Sequence, residues 1–156
     1  MRSSFVLAMA ALSMSCSITG VRASGTVPGQ PFESSFATGT YCEHCAGGVL
    51  VTVVLARHPA TVVDQRHDRL SVEFPTCMPG KYSMDSDDPY GARVDYLPAE
   101  GHPGLSEADS HCVQGEVNVE QCSSTHVRFR FSCRFRDGSH VEGAVATALD
   151  HDLGYD

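Results

Sequence analysis

Hydrophobic and polar residues alternate along several short segments of this chain. The alternation is clear in residues 69–74 (RLSVEF), 92–96 (ARVDY) and 126–136 (HVRFRFSCRFR), where every second side chain is apolar. A period of two is typical of a β-strand with one buried face. Glycine, proline and aspartate separate these segments at close intervals, and none carries a sustained period of 3.6 residues. The pattern therefore predicts an all-β protein.

Other segments extend the predicted sheet. Residues 48–55 (GVLVTVVL) are apolar on both faces, which is typical of a central strand covered on two sides. Residues 81–84 are short enough for an edge strand, whereas the prolines, glycines and acids of residues 98–110 predict a long surface loop. The C-terminal part predicts a three-stranded antiparallel meander made by residues 115–121, 126–136 and 140–149.

The larger apolar residues of the meander have odd numbers, as in Val117, Phe129 and Val141. Directly opposed residues share a face of a sheet, so odd-numbered residues are expected to pair with odd-numbered residues. Strands with one apolar face bury it by packing two layers together. We therefore expect an antiparallel two-sheet sandwich stapled by disulfides, with a small β-barrel as the alternative.

The N-terminus has the features of an export signal. Arg2 precedes an apolar segment, residues 5–14, that is too short to span a membrane. Small residues favour cleavage after Ala23, which would make residues 1–23 a signal peptide. Cleavage before Cys16 is the alternative, since Leu12 to Ser15 precede it as in a lipoprotein, and Cys16 would then be lipidated. The location is accordingly expected to be periplasmic, outer-membrane-anchored or extracellular.

Length and composition set the domain organisation. A chain of 156 residues has room for one compact domain. Residues 24–40 are rich in serine, glycine and threonine, which predicts a flexible tether. Residues 41–156 are then a single β domain. No apolar run after residue 20 approaches the ~18 residues that a membrane-spanning helix needs.

The seven cysteines fit export. Either cleavage site removes Cys16 from the count of thiols, and the body keeps six: Cys42, Cys45, Cys77, Cys112, Cys122 and Cys133. In an oxidising compartment an even number of cysteines is expected to close disulfides. We expect three bridges, although fifteen pairings of six cysteines are possible.

The order of the β segments resembles a known layout. A Pro-Gly-Lys-Tyr turn (79–82) is followed by an alternating strand, by GEVNVEQ and HVRFRFSCRF, and by a final hairpin around Asp-Gly. This layout is similar to that of small β-sandwich domains in exported bacterial lipoproteins of unknown function, and it covers about residues 49–149. The cysteines depart from that pattern. The resemblance implies the fold, and this family has no assigned chemistry to transfer.

Two groups of residues suggest metal or redox chemistry. The C-x-x-C of Cys42 and Cys45, with His44 between them, is the pattern of a thiol–disulfide pair or of part of a zinc site. No helical period follows it, and no second pair has matching spacing, so structural bridging is the favoured interpretation. Acidic residues in one turn, Asp85, Asp87 and Asp88, are weak candidates for a metal site. We expect no bound metal and no cofactor.

The functional prediction is a non-enzymatic binding or structural domain. No nucleophile motif, HExxH or phosphate-binding glycine loop is present, and a net charge of −8 disfavours nucleic acid as a partner. The partner is unknown, with a lipid tether at Cys16 and an envelope or glycan partner as the possibilities. A periplasmic thiol–disulfide or metal-binding protein using Cys42 and Cys45 is the alternative. His111, beside Cys112, and His44 are the histidines of first interest.

One row of basic residues is a candidate ligand surface. Four arginines occupy even-numbered positions of one predicted strand: Arg128, Arg130, Arg134 and Arg136. They are expected to face water together, where they would attract a carboxylate, sulfate or glycan. The alternative, which we favour, is neutralisation by Glu116, Glu120 and Glu142 on neighbouring strands.

Overall fold

The computed structural model of the chain describes residues 20–45, 48–60, 65–84, 88, 90–101 and 105–152. Within these ranges the protein is all-β, as predicted. The strands are β1 (Val21–Val27), β2 (Gln30–Ser34), β3 (Phe36–Cys45), β4 (Gly48–Ala56), β5 (Arg69–Phe74), β6 (Gly80–Ser83), β7 (Arg93–Leu97), β8 (Cys112–Cys122), β9 (His126–Phe135) and β10 (His140–Asp152), and the helix α1 spans Glu107–Ser110. None of the described helical residues forms a segment long and apolar enough to cross a membrane.

The described strands belong to one mixed sheet. Its order is β6-β8-β9-β10-β3-β4-β5-β7, with β1 on β10 and β2 on β1. One edge of β10 pairs with β9, and the other pairs first with β1 and then, in parallel, with β3. An antiparallel two-sheet sandwich is not confirmed, because β10 continues past its predicted end and joins both halves of the sheet.

The sheet curls into a half-barrel and buries its concave face. Phe74 of β5 lies 5.7 Å from Phe129 of β9, measured between ring centroids, and 6.0 Å from Tyr82 of β6. These rings join elements from opposite halves of the strand order. The two terminal strands also approach each other, since Ala92 N–H donates to the Ser83 carbonyl at 2.8 Å. The core therefore lies inside the curl of a single sheet, where side chains from both halves meet.

The predicted meander is confirmed in β8, β9 and β10. Val117 pairs with Phe131, and Val119 pairs with Phe129, so odd-numbered residues do face odd-numbered ones. In β9 every odd-numbered side chain is buried and the even-numbered side chains are half-buried or exposed. The hydrophobic period thus determined which face of each strand points to the core.

The flexible tether expected for residues 24–40 differs from the structure, which places nearly all of this segment in strands. β1 pairs with β10 and β2, and β3 pairs with β4 and β10. Val27 and Phe32 are buried although their neighbours are polar. The composition was misleading because a few well-placed apolar side chains, with backbone partners more than 100 residues away, are enough to order the segment.

Tyr96 links this N-terminal hairpin to the rest of the sheet. Its side chain is buried, and its hydroxyl donates to Asp68 Oδ1 at 2.9 Å and accepts from the Gln30 side chain at 2.5 Å. Burial raises the pKa of Tyr96, the hydrogen bond to the Asp68 carboxylate raises it further, and the Gln30 amide opposes the shift. The hydroxyl therefore stays protonated and keeps its role as donor.

Tyr96→Phe should lower the free energy of unfolding by about 1–3 kcal/mol, because it removes one buried hydroxyl and leaves two polar partners without it. Urea unfolding monitored by circular dichroism measures this change. Tyr90→Phe is the matched control, since Tyr90 is 77% exposed. Equal stability of the two variants would contradict the role of Tyr96.

Candidate functional site

A cleft opens where the end of β6, the start of β7, α1 and the start of β8 meet. We call it the β7–β8 cleft; its volume is about 600 Å³, and it is lined by Met84, Asp88, Gly91, Ala92, Arg93, Glu107, Ala108, His111, Cys112, Val113 and Arg136. Val113 is an exposed apolar residue here, 47% accessible. The cleft thus combines an apolar surface with a few charged groups, as small-molecule sites do.

Helix α1 forms one wall of the cleft, inside the segment predicted as a loop. Ser106 caps it, because its hydroxyl accepts from the backbone N–H of Asp109 at 3.2 Å. Glu107 then lies four residues before His111, and its carboxylate is 3.6 Å from His111 Nε2. A single helical turn was hidden by the prolines and glycines of the surrounding loop.

The Asp95 carboxylate holds the side chains of Arg93 and His111 at the cleft. Arg93 Nε donates to Asp95 Oδ2 at 2.6 Å, and His111 Nδ1 is hydrogen-bonded to Asp95 Oδ1. A carboxylate only accepts, so His111 Nδ1 donates to Asp95, and the Arg93 guanidinium lies against the imidazole, 3.5 Å from Nδ1 and 3.3 Å from Nε2. The Asp95 side chain is only 13% exposed. The imidazole and the guanidinium are therefore fixed in position.

The charge of Asp95 also acts on Glu73, which lies opposite Arg93 in the β5–β7 pairing. Burial is the main cause of the raised pKa of Glu73. The charge of Asp95 raises this pKa further, whereas the charge of Arg93 lowers it. Because the folded-state pKa is raised, the contribution of protonated Glu73 to stability is fully present below the unfolded-state pKa. It is lost as the pH rises through the folded-state pKa.

Asp95→Asn should lower the free energy of unfolding by about 1–3 kcal/mol, because two charge-assisted hydrogen bonds are lost from a mostly buried carboxylate. It should also lower the pKa of Glu73, which an NMR titration of the carboxyl carbons measures. Glu33→Gln is the control, because the Glu33 side chain is 71% exposed and its carboxylate makes a surface ion pair with Arg57 at 3.3 Å. An unchanged Glu73 titration in Asp95→Asn would contradict the coupling.

His111 was of interest in the sequence only because of its neighbour Cys112, and the structure gives it partners that the sequence did not indicate. Arg93 and Asp95 occupy alternate polar positions of a strand, a pattern shared by any solvent-facing residue. Among the described residues the hydrogen bonds of His111 go to Asp95 and Arg93, and no serine or cysteine joins them. The arrangement orders donors and acceptors for a ligand.

The structure forms two of the three predicted disulfides. Cys42–Cys45 joins residues within β3, and Cys77–Cys122 joins the segment after β5 to the end of β8. Cys112 and Cys133 are free. Since both members of the C-x-x-C lie in a strand, neither has the helix N-terminus that lowers the pKa of redox-active thiols.

Of the candidate metal ligands, the structure describes His44 and Asp88. His44 is exposed in β3, and Asp88 accepts from the backbone N–H of Tyr90 at 2.9 Å. Asp85 and Asp87 lie outside the described residues. In the part of the chain that the structure describes, no group of three or more potential ligands has the geometry to hold a metal ion.

The arginine row differs in detail from its predicted pairing. Arg130 pairs with Glu120 at 2.9 Å, and Glu120 is one of the three acids expected to neutralise the row. Glu116 instead pairs with Lys81 at 3.5 Å, and both Glu116 and Glu142 lie opposite Ser132. The registers of β8 and β10 on β9 therefore place neither Glu116 nor Glu142 directly opposite an arginine. Arg128 is half-buried, Arg134 is exposed, and Arg136 lines the β7–β8 cleft, so the row is not one uniform surface.

Comparisons with protein-family models, with curated proteins and with solved structures found no match to this chain. The similarity of the layout to lipoprotein sandwich domains stays a prediction.

Proposed function

We propose that this chain is an exported, non-enzymatic binding domain that holds a small ligand in the β7–β8 cleft. The observation that carries the proposal is the cleft itself, with the Asp95-oriented pair of Arg93 and His111 on its wall. Fixed polar groups beside an apolar surface lower the entropic cost of binding, because the site does not reorganise around its ligand.

The lining indicates the chemistry of the ligand. Apolar contact is offered by Ala92, Ala108 and Val113. Two acids and two arginines also line the cleft, namely Asp88, Glu107, Arg93 and Arg136, so its formal charges balance. A ligand of high net charge gains little there. We therefore propose an uncharged or zwitterionic compound with an apolar body.

The experiment is a methyl NMR titration with a library of uncharged and zwitterionic aromatic fragments. Binding should shift the methyl signals of Ala92, Ala108 and Val113. Val113→Asp should abolish these shifts, whereas Phe36→Asp, which changes an exposed apolar residue outside the cleft, should retain them. Fragment shifts that survive Val113→Asp, or that cluster away from these methyl groups, would contradict the proposal.

We also propose that the two halves of the curled sheet pack against each other as the two layers of a sandwich do. The edge-to-face contact of Phe74 with Phe129 supports it, because the two strands are far apart in the order of the sheet. Two disulfides support the proposal of export, since such bridges persist in oxidising compartments.

The N-terminal strand helps to choose between the two cleavage sites. Ala23 is buried in β1, where it lies opposite Ser34 and Gly143. Cleavage after Ala23 would remove Val21 to Ala23 from the strand, whereas cleavage before Cys16 keeps β1 whole. Cys16 itself lies outside the described residues. We propose cleavage before Cys16, with a lipid on Cys16 as the membrane tether.

The mature protein should therefore begin at Cys16 and carry fatty acyl groups, which intact-mass measurement and metabolic labelling with a clickable fatty acid detect. Cys16→Ser should abolish the label. A mature N-terminus at Ser24 would show that the tether is wrong.

A further inference from the structure

The two free cysteines are brought together by the register of β8 and β9. Cys112 lies opposite Phe135, and Gln114 lies opposite the next residue, Arg134, so the register shifts at Val113. Opposed residues share a face, which places Cys112 on the core side of the sheet together with Phe135 and Cys133. The Cys112 thiol donates to the backbone carbonyls of Gln114 at 3.2 Å and Arg134 at 3.6 Å, and the Cys133 side chain is near enough for each thiol to shift the pKa of the other.

Gly115 fixes the chain at this position. It lies opposite Cys133 and has a φ of +154°, and a Cβ added to it would lie 2.0 Å from the Ser132 carbonyl oxygen. Any other residue would push β8 away from β9. The glycine therefore keeps the two strands close where the two cysteines meet.

The two thiols have unequal environments. Cys112 is half-buried and lines the β7–β8 cleft, whereas Cys133 is 0% exposed. The hydrogen bond from Cys133 is the main cause that lowers the pKa of Cys112, and burial opposes it. Burial is the main cause that raises the pKa of Cys133. A small reagent thus meets the more acidic thiol first.

We propose that Cys112 and Cys133 form a thiol–disulfide exchange site, at which a low-molecular-weight disulfide entering the cleft oxidises the pair to a cross-strand bridge. Cys112 is the attacking residue, because it is the one that the cleft reaches. Cys133 is the resolving residue, because it is buried against Cys112. This site is distinct from the Cys42–Cys45 pair.

The exchange has two balanced steps. The Cys112 thiolate attacks one sulfur of the small disulfide, a bond forms between Cys112 Sγ and that sulfur, and the other half leaves as a thiolate that takes up a proton. Cys133 then loses its proton and attacks Cys112 Sγ, and the second half leaves with that proton. The two cysteines lose two electrons in total, and the disulfide gains them as two thiols.

The experiment uses the full mature protein with both existing bridges intact and with glutathione disulfide as the probe. After quenching, peptide mass mapping identifies each cysteine's state. Wild type should form Cys112–Cys133 and retain no glutathione. Cys133→Ser should retain one glutathione on Cys112, and Cys112→Ser should not react. Glutathione retained equally by wild type and Cys133→Ser would overturn the resolving role.

A second measurement uses only the wild-type protein, so its result does not depend on the folding of the variants. With iodoacetamide at neutral pH, Cys112 should be alkylated more than about tenfold faster than Cys133, since each unit of pKa difference changes the thiolate fraction about tenfold. Equal rates would overturn the proposal, because they would mean that both thiols react only after the sheet opens. The proposal does not require the aromatic ligand proposed above, so failure of the fragment titration leaves these outcomes unchanged.

Discussion

Phe129→Ala should lower the free energy of unfolding by about 3–5 kcal/mol, the usual range for removing a fully buried aromatic side chain. Phe129 is 0% exposed and contacts Phe74, with 5.7 Å between ring centroids, and Phe131, with 6.2 Å. The loss has two parts, the transfer free energy of the ring and the cavity left between the halves of the sheet. Equilibrium unfolding in urea measures it.

Phe36→Ala is the control for this prediction, because Phe36 is also in a strand but is 45% exposed. Its stability should change by less than about 1 kcal/mol. If the two variants lost similar stability, the halves of the curled sheet would not be held together through Phe129.

Removing the Cys77–Cys122 bridge with Cys77→Ala and Cys122→Ala should cost about 4 kcal/mol. The bridge closes a loop with a sequence separation of 45, and the chain-entropy relation gives this value for a loop of that length. The bridge also ties the segment before β6 to β8, so its loss frees an edge of the sheet. Urea unfolding under non-reducing conditions measures the change.

The Cys42–Cys45 bridge provides the matched control, because its sequence separation is only 3. The same relation gives about 1.6 kcal/mol for the double alanine variant. Equal losses for the two bridges would contradict the entropic account of the larger effect.

The strands that the sequence predicted are those whose apolar residues alternate without interruption. Residues 69–74 form β5 with the predicted bounds. In the meander β9 and β10 begin at the predicted residues, whereas β8 begins three residues earlier and β10 ends three residues later than predicted. The alternation of apolar and polar residues alone predicts which face of each of these strands points to the core. β1 and β2 were missed because the alternation there rests on single residues such as Val27 and Phe32 among polar neighbours.

The mixed topology and the cleft depend on contacts between distant residues. The parallel pairing of Leu149 with Gly39 joins chain segments that no local pattern relates. Asp95 meets His111 through an isolated β-bridge, which joins β7 to the residue that follows α1. The register shift at Val113 turned Cys112 toward Cys133, and an extra residue in a strand has no signature in hydrophobic period. The site could therefore be recognised only after the strands were paired.

The most direct test of the central claim, that this domain acts through the β7–β8 cleft, is a crystallographic fragment screen on the full mature protein. Bound uncharged or zwitterionic fragments should lie against Ala92, Ala108 and Val113 and accept or donate hydrogen bonds at Arg93 or His111. Fragments that occupy other surfaces and leave this cleft empty would contradict it.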